Sequence, residues 1–181
     1  MMRVMESDPA DEPVALFDDA GAPCGTAPRH RVRSENLRHA ATAVVVRNSA
    51  GEVYVHRRTD TKDVYPGRYD FCAGGVLRAG ESPLQSARRE VAEELGVEGV
   101  PLLRLGERDY ADDHTRYRAF LFTCTWDGPV RWQPEEIAWG RWVSPRRLVE
   151  MVDEHAFVPD SVAVLDRWLD ALRAAGSRGA V

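Results

Sequence analysis

Residues 75–97 read GVLRAGESPLQSARREVAEELGV, and this stretch decides how the chain folds. Ser82, followed by Pro83 and Gln85, supplies an N-cap, a first helical residue and the partner of a capping box, so a helix is predicted over residues 82–95. Gly96 fits its C-terminal cap. At about 100° per residue, Glu90, Glu93 and Glu94 fall within an arc of about 100°. Leu84, Ala87, Val91 and Leu95 form an adjacent apolar stripe that a core would cover. Three neighbouring carboxylates repel one another, and an exposed helix ordinarily separates them with lysines one turn on. Here it does not. A hard divalent cation such as Mg²⁺ relieves that repulsion through carboxylate, water and phosphate oxygens. Gly74 and Gly75, just upstream, let backbone approach an ion or a phosphate closely.

Outward from this helix the pattern is mostly β. Residues 13–18 and 23–26 flank an Asp-Asp-Ala-Gly turn and form an expected hairpin. Residues 43–47 (AVVVR) are a buried-strand run, 48–52 a turn and 53–57 a return strand. Residues 59–67 form a polar loop ending in Pro-Gly, and 69–77 a strand leading into a glycine-rich turn. Further strands are expected at 102–110, 117–126 and 139–143. Ser144-Pro145 starts a second helix to about Asp153. A third starts at Asp160-Ser161, with Val162, Leu165, Leu169 and Leu172 on one face. Strands interleaved with three helices predict one mixed α/β layered domain over residues 13–175, after a disordered acidic leader (1–12) and before a frayed tail (176–181).

Composition narrows the function. The 181 residues carry 24 basic and 29 acidic side chains, a formal charge of −5. Residues 1–20 hold six acids and one base, so the excess belongs to the leader and the remainder is neutral. That excludes a strongly basic nucleic-acid binder. The 44% hydrophobic content excludes a wholly disordered acidic chain. Cys24, Cys72 and Cys124 are odd in number and widely spaced, which is neither a disulfide framework nor a metal motif. With no apolar leader core and no long apolar run, a cytoplasmic protein without membrane contact is expected. Residues 29–62 hold eight bases and three acids, which suits recruitment of a phosphorylated ligand. Residues 29–39 could line its entrance or serve as a solvated connection.

A solvated acidic face is the ordinary reading of three helical glutamates, but the whole spacing overturns it. Gly75, Glu81 and the run Arg89-Glu90-Val91-Ala92-Glu93-Glu94-Leu95-Gly96-Val97 occupy every fixed position of the Nudix box. The sequence therefore resembles the Nudix hydrolases from about Ala41 to Leu172. The resemblance implies an α/β/α sandwich with a mixed central sheet, here preceded by the β-hairpin. It also implies Mg²⁺-dependent cleavage, or Mn²⁺ in its place, of a small-molecule organic diphosphate, and it is compatible with a homodimer. Carried over, Glu90 and Glu94 are the main metal ligands, with Glu93 a third ligand or a water-orienting base. Arg89 holds the glutamates by ion pairing, Glu81 supports the loop or a further metal, and the Gly74 carbonyl joins the metal shell. Many members take the general base from a later loop, where Glu135 and Glu136 are the candidates.

A second resemblance lies outside the box. GAPCGTAPR, the stretch from NLRHAATAVVVR to YPGRYD, and AFVPDS look like isopentenyl-diphosphate isomerase and nearby Nudix hydrolases. The isomerase diphosphate grip matches Arg58 and Lys62, and Lys62 is the only lysine in the chain. The isomerase chemistry does not carry over. Its cysteine position is Gly74, and Cys72 lies two residues early. Of its metal ligands, His39 matches one histidine, but Val32 and the run Arg116-Tyr117-Arg118 stand where further ligands belong. The expectation is a hydrolase on an isomerase-like scaffold. An isomerase using Cys72 and a non-catalytic diphosphate sensor are the rivals.

Overall fold

The computed structural model describes residues 9–62 and 64–178 of the chain. At its centre runs β3 (His39–Arg47), whose alternating side chains enter two different cores. Ala43 and Val45 pack on one face, Val44 and Val46 on the other, as the two-residue period of a strand requires. Burial on both faces explains its nearly continuous apolar sequence. β3 pairs in parallel with β7 (Arg116–Thr125) along its whole length, from His39↔Tyr117 to Arg47↔Thr125. β7 in turn pairs antiparallel with β6 (Leu103–Ala111).

The expected hairpin is present as β1 (Pro13–Phe17) and β2 (Pro23–Pro28). Asp18 closes its turn by accepting from the Ala22 amide at 2.8 Å. β1 joins β3 at Leu16↔His39. On the opposite side, β4 (Val53–Arg58) leaves β3 after Arg47↔Val53 and pairs with β8 (Ile137–Val143) and with β5 (Tyr69–Asp70). The vacated edge of β3 takes up the glycine segment through the bridges Val44↔Ala73 and Ala41↔Val76.

Helix α2 (Pro83–Leu95) covers one face of the sheet, with Ala87, Val91 and Leu95 buried beneath it. Helices α3 (Pro145–Glu154), α4 (Pro159–Val164) and α5 (Asp166–Arg178) cover the other face, packing Leu148, Val164 and Leu169 into one core with Val45, Val55 and Phe71. The result is the expected α/β/α sandwich on a mixed sheet. No helix among the described residues is long and apolar enough to cross a membrane.

Four expectations need correction. Residues 29–39 contain a short helix, α1 (Arg29–Ser34), which buries Val32 against Val14 and Ala27. The strand predicted from residue 69 stops at Asp70, because the Asp70 carboxylate accepts from the Phe71 and Cys72 amides and draws the backbone off the ladder. The last helix is two, broken at Leu165 (φ −104°, ψ 17°), where the Asp166 side chain takes the Arg167 amide at 2.6 Å. Leu84 is exposed, and Ser86 takes the buried place on the first turn of α2.

The chain ends also differ in part. Residues 1–8 and 179–181 lie outside the described residues, as does Asp63. Pro9–Asp11 form a 3₁₀ turn, and Glu12 is held by ion pairs to Arg29 and Arg78. Residues 176–178 continue α5.

The helix start is as expected. Ser82 accepts from the Gln85 amide, the Gln85 side chain accepts from the Ser82 amide, and Gly96 closes the far end at φ 67°. Ser82→Ala removes this reciprocal cap. It should lower the unfolding free energy in urea by about 1 kcal/mol with an unchanged denaturant slope. A loss below about 0.3 kcal/mol would show that packing alone sets the helix start.

Candidate active site

The site begins where the glycine segment crosses β3. The Thr42 amide donates to the Gly75 carbonyl at 2.9 Å, and the Val44 amide to the Ala73 carbonyl at 2.7 Å. A side chain on Gly74 would put its Cβ 1.9 Å from the Thr42 carbonyl oxygen, so only glycine fits. One on Gly75 would lie 2.5 Å from the Glu90 carboxylate. The two glycines thus let α2 sit against the seam, and Glu90 occupies the space they leave. The Gly74 amide donates to Glu94 Oε2 at 3.2 Å.

Arg89 organises the surrounding acids. Its Nε and Nη2 donate to the two Glu81 oxygens at 2.7 and 2.9 Å. Its Nη1 donates to Glu90 at 2.6 Å and to Glu93 at 3.3 Å. Glu81 also accepts from the Arg78 amide, which fastens the loop before α2. Hydrogen bonding from Arg89 lowers the Glu81 pKa. Burial works against the Arg89 charge, but Glu81 and Glu90 outweigh it and raise its pKa. Burial raises the Glu90 pKa, with Arg89 opposing. Glu94 goes furthest. Burial first, then the Glu90 and Glu136 charges, hold its carboxyl well above the ordinary range, with Arg58 the opposing cation.

Gly74, Gly75, Arg89, Glu90, Glu93 and Glu94 line an open cleft of about 800 Å³, whereas Glu81 lies outside its lining. Arg58 and Lys62 stand in it with Glu90, Glu93, Glu94 and Glu136. Lys62 Nζ lies 3.1 Å from Glu136 Oε1. Arg58 donates twice to the Val64 carbonyl. Thr59 ties the loop that carries Lys62 to the one that carries Glu136, through bonds to the Glu135 and Glu136 carbonyls. The two candidate bases therefore separate. Glu136 is in the cleft, whereas the Glu135 side chain is exposed and outside its lining, because successive residues of the turn closed on the Gln133 carbonyl project in different directions.

Arg29, His30 and Arg33 complete the cleft wall. The sequence left their stretch between an entrance and a connection, and α1 turns them inward. A second cavity of about 230 Å³ lies behind Glu94 and contains Cys72, Asp70, Tyr117, Asp160 and Ser161. Apart from Cys72, these residues escaped sequence reasoning as site residues. The only signals were AFVPDS and a Tyr117 that stood where the isomerase pattern had a metal pair.

The donor set suits a hard cation. Every candidate ligand is a carboxylate or backbone oxygen, and the charges of Glu90 and Glu94 oppose each other. Among the described residues the acids are not drawn into a preformed three-ligand cluster. Arg89 instead spreads Glu81, Glu90 and Glu93 around its guanidinium.

Comparison with known proteins places these features in a family. The NUDIX domain matches residues 37–166. An uncharacterised Nudix hydrolase of Rhodococcus erythropolis is 43% identical over 170 residues, covering 87% of this chain and 92% of the relative. The uncharacterised Nudix hydrolase YfcD of Escherichia coli K12 is 39% identical over 156 residues, 86% of each chain. Among solved structures, a Deinococcus radiodurans protein superposes with a TM-score of 0.70 at 23% identity, over 90% of this chain and 98% of its own. A MutT protein of Methanosarcina mazei gives 0.63 at 21% identity, over 77% and 95%. These two likenesses concern the fold.

The glycine seam yields a paired expectation. Gly74→Ala collides with backbone and should lower the unfolding free energy by about 3 kcal/mol. Gly75→Ala meets only the movable end of Glu90, so its loss should stay under about 1 kcal/mol. Urea titration of both variants checks the order, and equal losses would contradict it.

Proposed function

The chain belongs to the NUDIX domain family, whose hydrolases cleave pyrophosphate bonds, and we propose that its substrate is a diphosphate joined to an organic group and that it works with Mg²⁺ or Mn²⁺. One observation carries this reading. The carboxylates of Glu90 and Glu94 share a cleft with Arg58 and Lys62, so acids for a cation face bases for a diphosphate. In this reading Glu90 and Glu94 hold the ion, with the Gly74 carbonyl beside them and Glu93 at the rim. When bound, the ion neutralises phosphate oxygens and acidifies water for attack on phosphorus.

The chain's own groups do the rest. Arg58 and Lys62 bind and orient the diphosphate. Arg89 positions Glu90 and Glu93, and through Glu81 it fixes the loop before α2. Glu136 is the proposed base, supported by its place in the cleft. Diphosphate oxygens compete for the Lys62 ammonium, which leaves the Glu136 carboxylate able to take the proton of the attacking water. Three free cysteines, two of them buried, suit the proposed cytoplasmic location.

The isomerase reading has one observation in its favour, since Cys72 lines the inner cavity. Its sulfur, however, is 3.4 Å from both Asp70 and Ser161, and burial holds the thiol protonated. Formation of dimethylallyl diphosphate from isopentenyl diphosphate would favour it over hydrolysis. The complete acidic box argues against a sensor.

A screen of organic diphosphates with Mg²⁺, read as released phosphate or monophosphate, tests the main reading, and EDTA should abolish the signal. Glu94→Gln should lower kcat on the order of a hundredfold or more. Wild-type turnover in that variant would sink its assignment. Lys62→Ala should raise KM more than it lowers kcat, and an unchanged KM would remove Lys62 from the grip.

A further inference from the structure

The outer cleft and the inner cavity adjoin. Both are lined by Arg29, Arg33, Arg58, Gly74, Gly75 and Glu94. A ligand whose diphosphate lies between Arg58 and the carboxylates therefore has a place next to it for the rest of the molecule. At about 230 Å³ against about 800 Å³ for the outer cleft, this chamber is the smaller space and suits a compact group.

Part of its lining is apolar, including Ala41, Ala43, Val158 and Val164. Beside the arginines that the chamber shares with the cleft, part of the polar lining is a network joined across the fold. Tyr117 OH donates to Asp160 Oδ2 at 2.8 Å. Ser161 Oγ donates to Asp70 Oδ2 at 3.1 Å, and the Ser161 amide donates to Asp160 Oδ1 at 3.0 Å. Both hydroxyl protons of this network are thus committed to a carboxylate, and the Cys72 thiol lies 3.4 Å from both Asp70 and Ser161. The phenol, the serine hydroxyl and both carboxylates can offer a ligand only acceptor oxygens.

Two further polar atoms belong to residues lining the chamber. Thr42 Oγ1 and His56 Nδ1 are buried without a hydrogen-bond partner among the described residues. Thr42 and His56 are 4% and 3% exposed. A hydrocarbon filling would leave Thr42 Oγ1 and His56 Nδ1 unanswered and the two carboxylates without water at their remaining acceptor sites, which is unfavourable.

We propose that the inner chamber is the subsite for the organic part of the substrate, and that it selects a compact group rich in O–H or N–H donors, held at Asp160, Tyr117 and Ser161, over a hydrocarbon chain. This rests on the diphosphate hydrolase reading and names its substrate class. Asp160, Tyr117 and Ser161 are then specificity-determining residues. Burial, and then the Asp160 charge, push the Asp70 pKa up to about 6, and a ligand donor or cation would offset that strain.

The test uses non-hydrolysable methylene diphosphonates of equal length with Mg²⁺, bearing a hydroxylated, an ammonium-bearing or a plain alkyl group, titrated by calorimetry. The hydroxylated or the ammonium-bearing compound should bind at least about tenfold tighter than the alkyl one. Asp160→Asn should shrink that ratio to about threefold or less. An ammonium preference that falls more steeply than a hydroxyl preference identifies a cationic group as the source. Alkyl binding equal to or tighter than the others overturns the proposal on the wild-type protein alone. So does a ratio unmoved by both Asp160→Asn and Ser161→Ala. Because binding is read without turnover, failure to hydrolyse any parent diphosphate would overturn the hydrolase reading and leave this selectivity standing.

Discussion

The rest of the molecule hangs on one backbone seam, in which the segment around Gly74 and Gly75 lies along the edge of β3. β3 is free to accept it because β4 departs after a single pair. The approach is so close that a Cβ on Gly74 would fall on the Thr42 carbonyl. α2 meets this seam through the Gly74 amide, which donates to Glu94, and through Gly75, which lies against the Glu90 carboxylate. The seam also forms the wall shared by the cleft and the chamber behind it. A bulkier residue would move the helix, the acids and the boundary between the two cavities together.

Given that seam, Arg89 and Glu94 play opposite parts. Arg89 meets three glutamates, but partly exposed ion pairs contribute at most about 1 kcal/mol each. Its value is directional, since the planar fork fixes two oxygens of Glu81 and one of Glu90 in a single arrangement. Glu94 forms no ion pair among the described residues. Its neighbours Glu90 and Glu136 are acids, and Arg58 is the cation that moderates it. Burial and these acids oppose ionisation of Glu94, so a cation beside it would have the most to offset there.

The sequence made the box legible because its chemistry is local. Capping residues, glutamates and glycines lie within a few turns of one another, and spacing alone brings them together. Strand positions were legible for a related reason, since a strand buried on both faces has to be apolar throughout, as β3 is. What escaped depended on distant partners. Ser161 and Asp70 are 91 positions apart and Tyr117 and Asp160 are 43 apart, so no window contains either pair. Glu135 and Glu136 looked equivalent until the turn aimed only Glu136 into the cleft. The break at Leu165 hinged on one Asp166 side chain competing for an amide. Leu84 matched the apolar stripe, but the fold leaves it exposed on the first turn.

Electrostatics ties these levels together in a way the net charge of −5 conceals. The expected leader does not stand wholly apart from the working surface. Glu12 bridges Arg29 and Arg78, and all three line the cleft. Across from them stand Glu90, Glu93 and Glu94. A phosphorylated ligand entering here meets bases already partly neutralised by Glu12 and Glu136, so its own oxygens must displace carboxylates to bind. Such an exchange favours a ligand with several negative oxygens over a singly charged one, because each displaced carboxylate loses a partner that the ligand has to replace. In the proposed reading, the same carboxylates that weaken the grip on small anions would direct it toward a diphosphate.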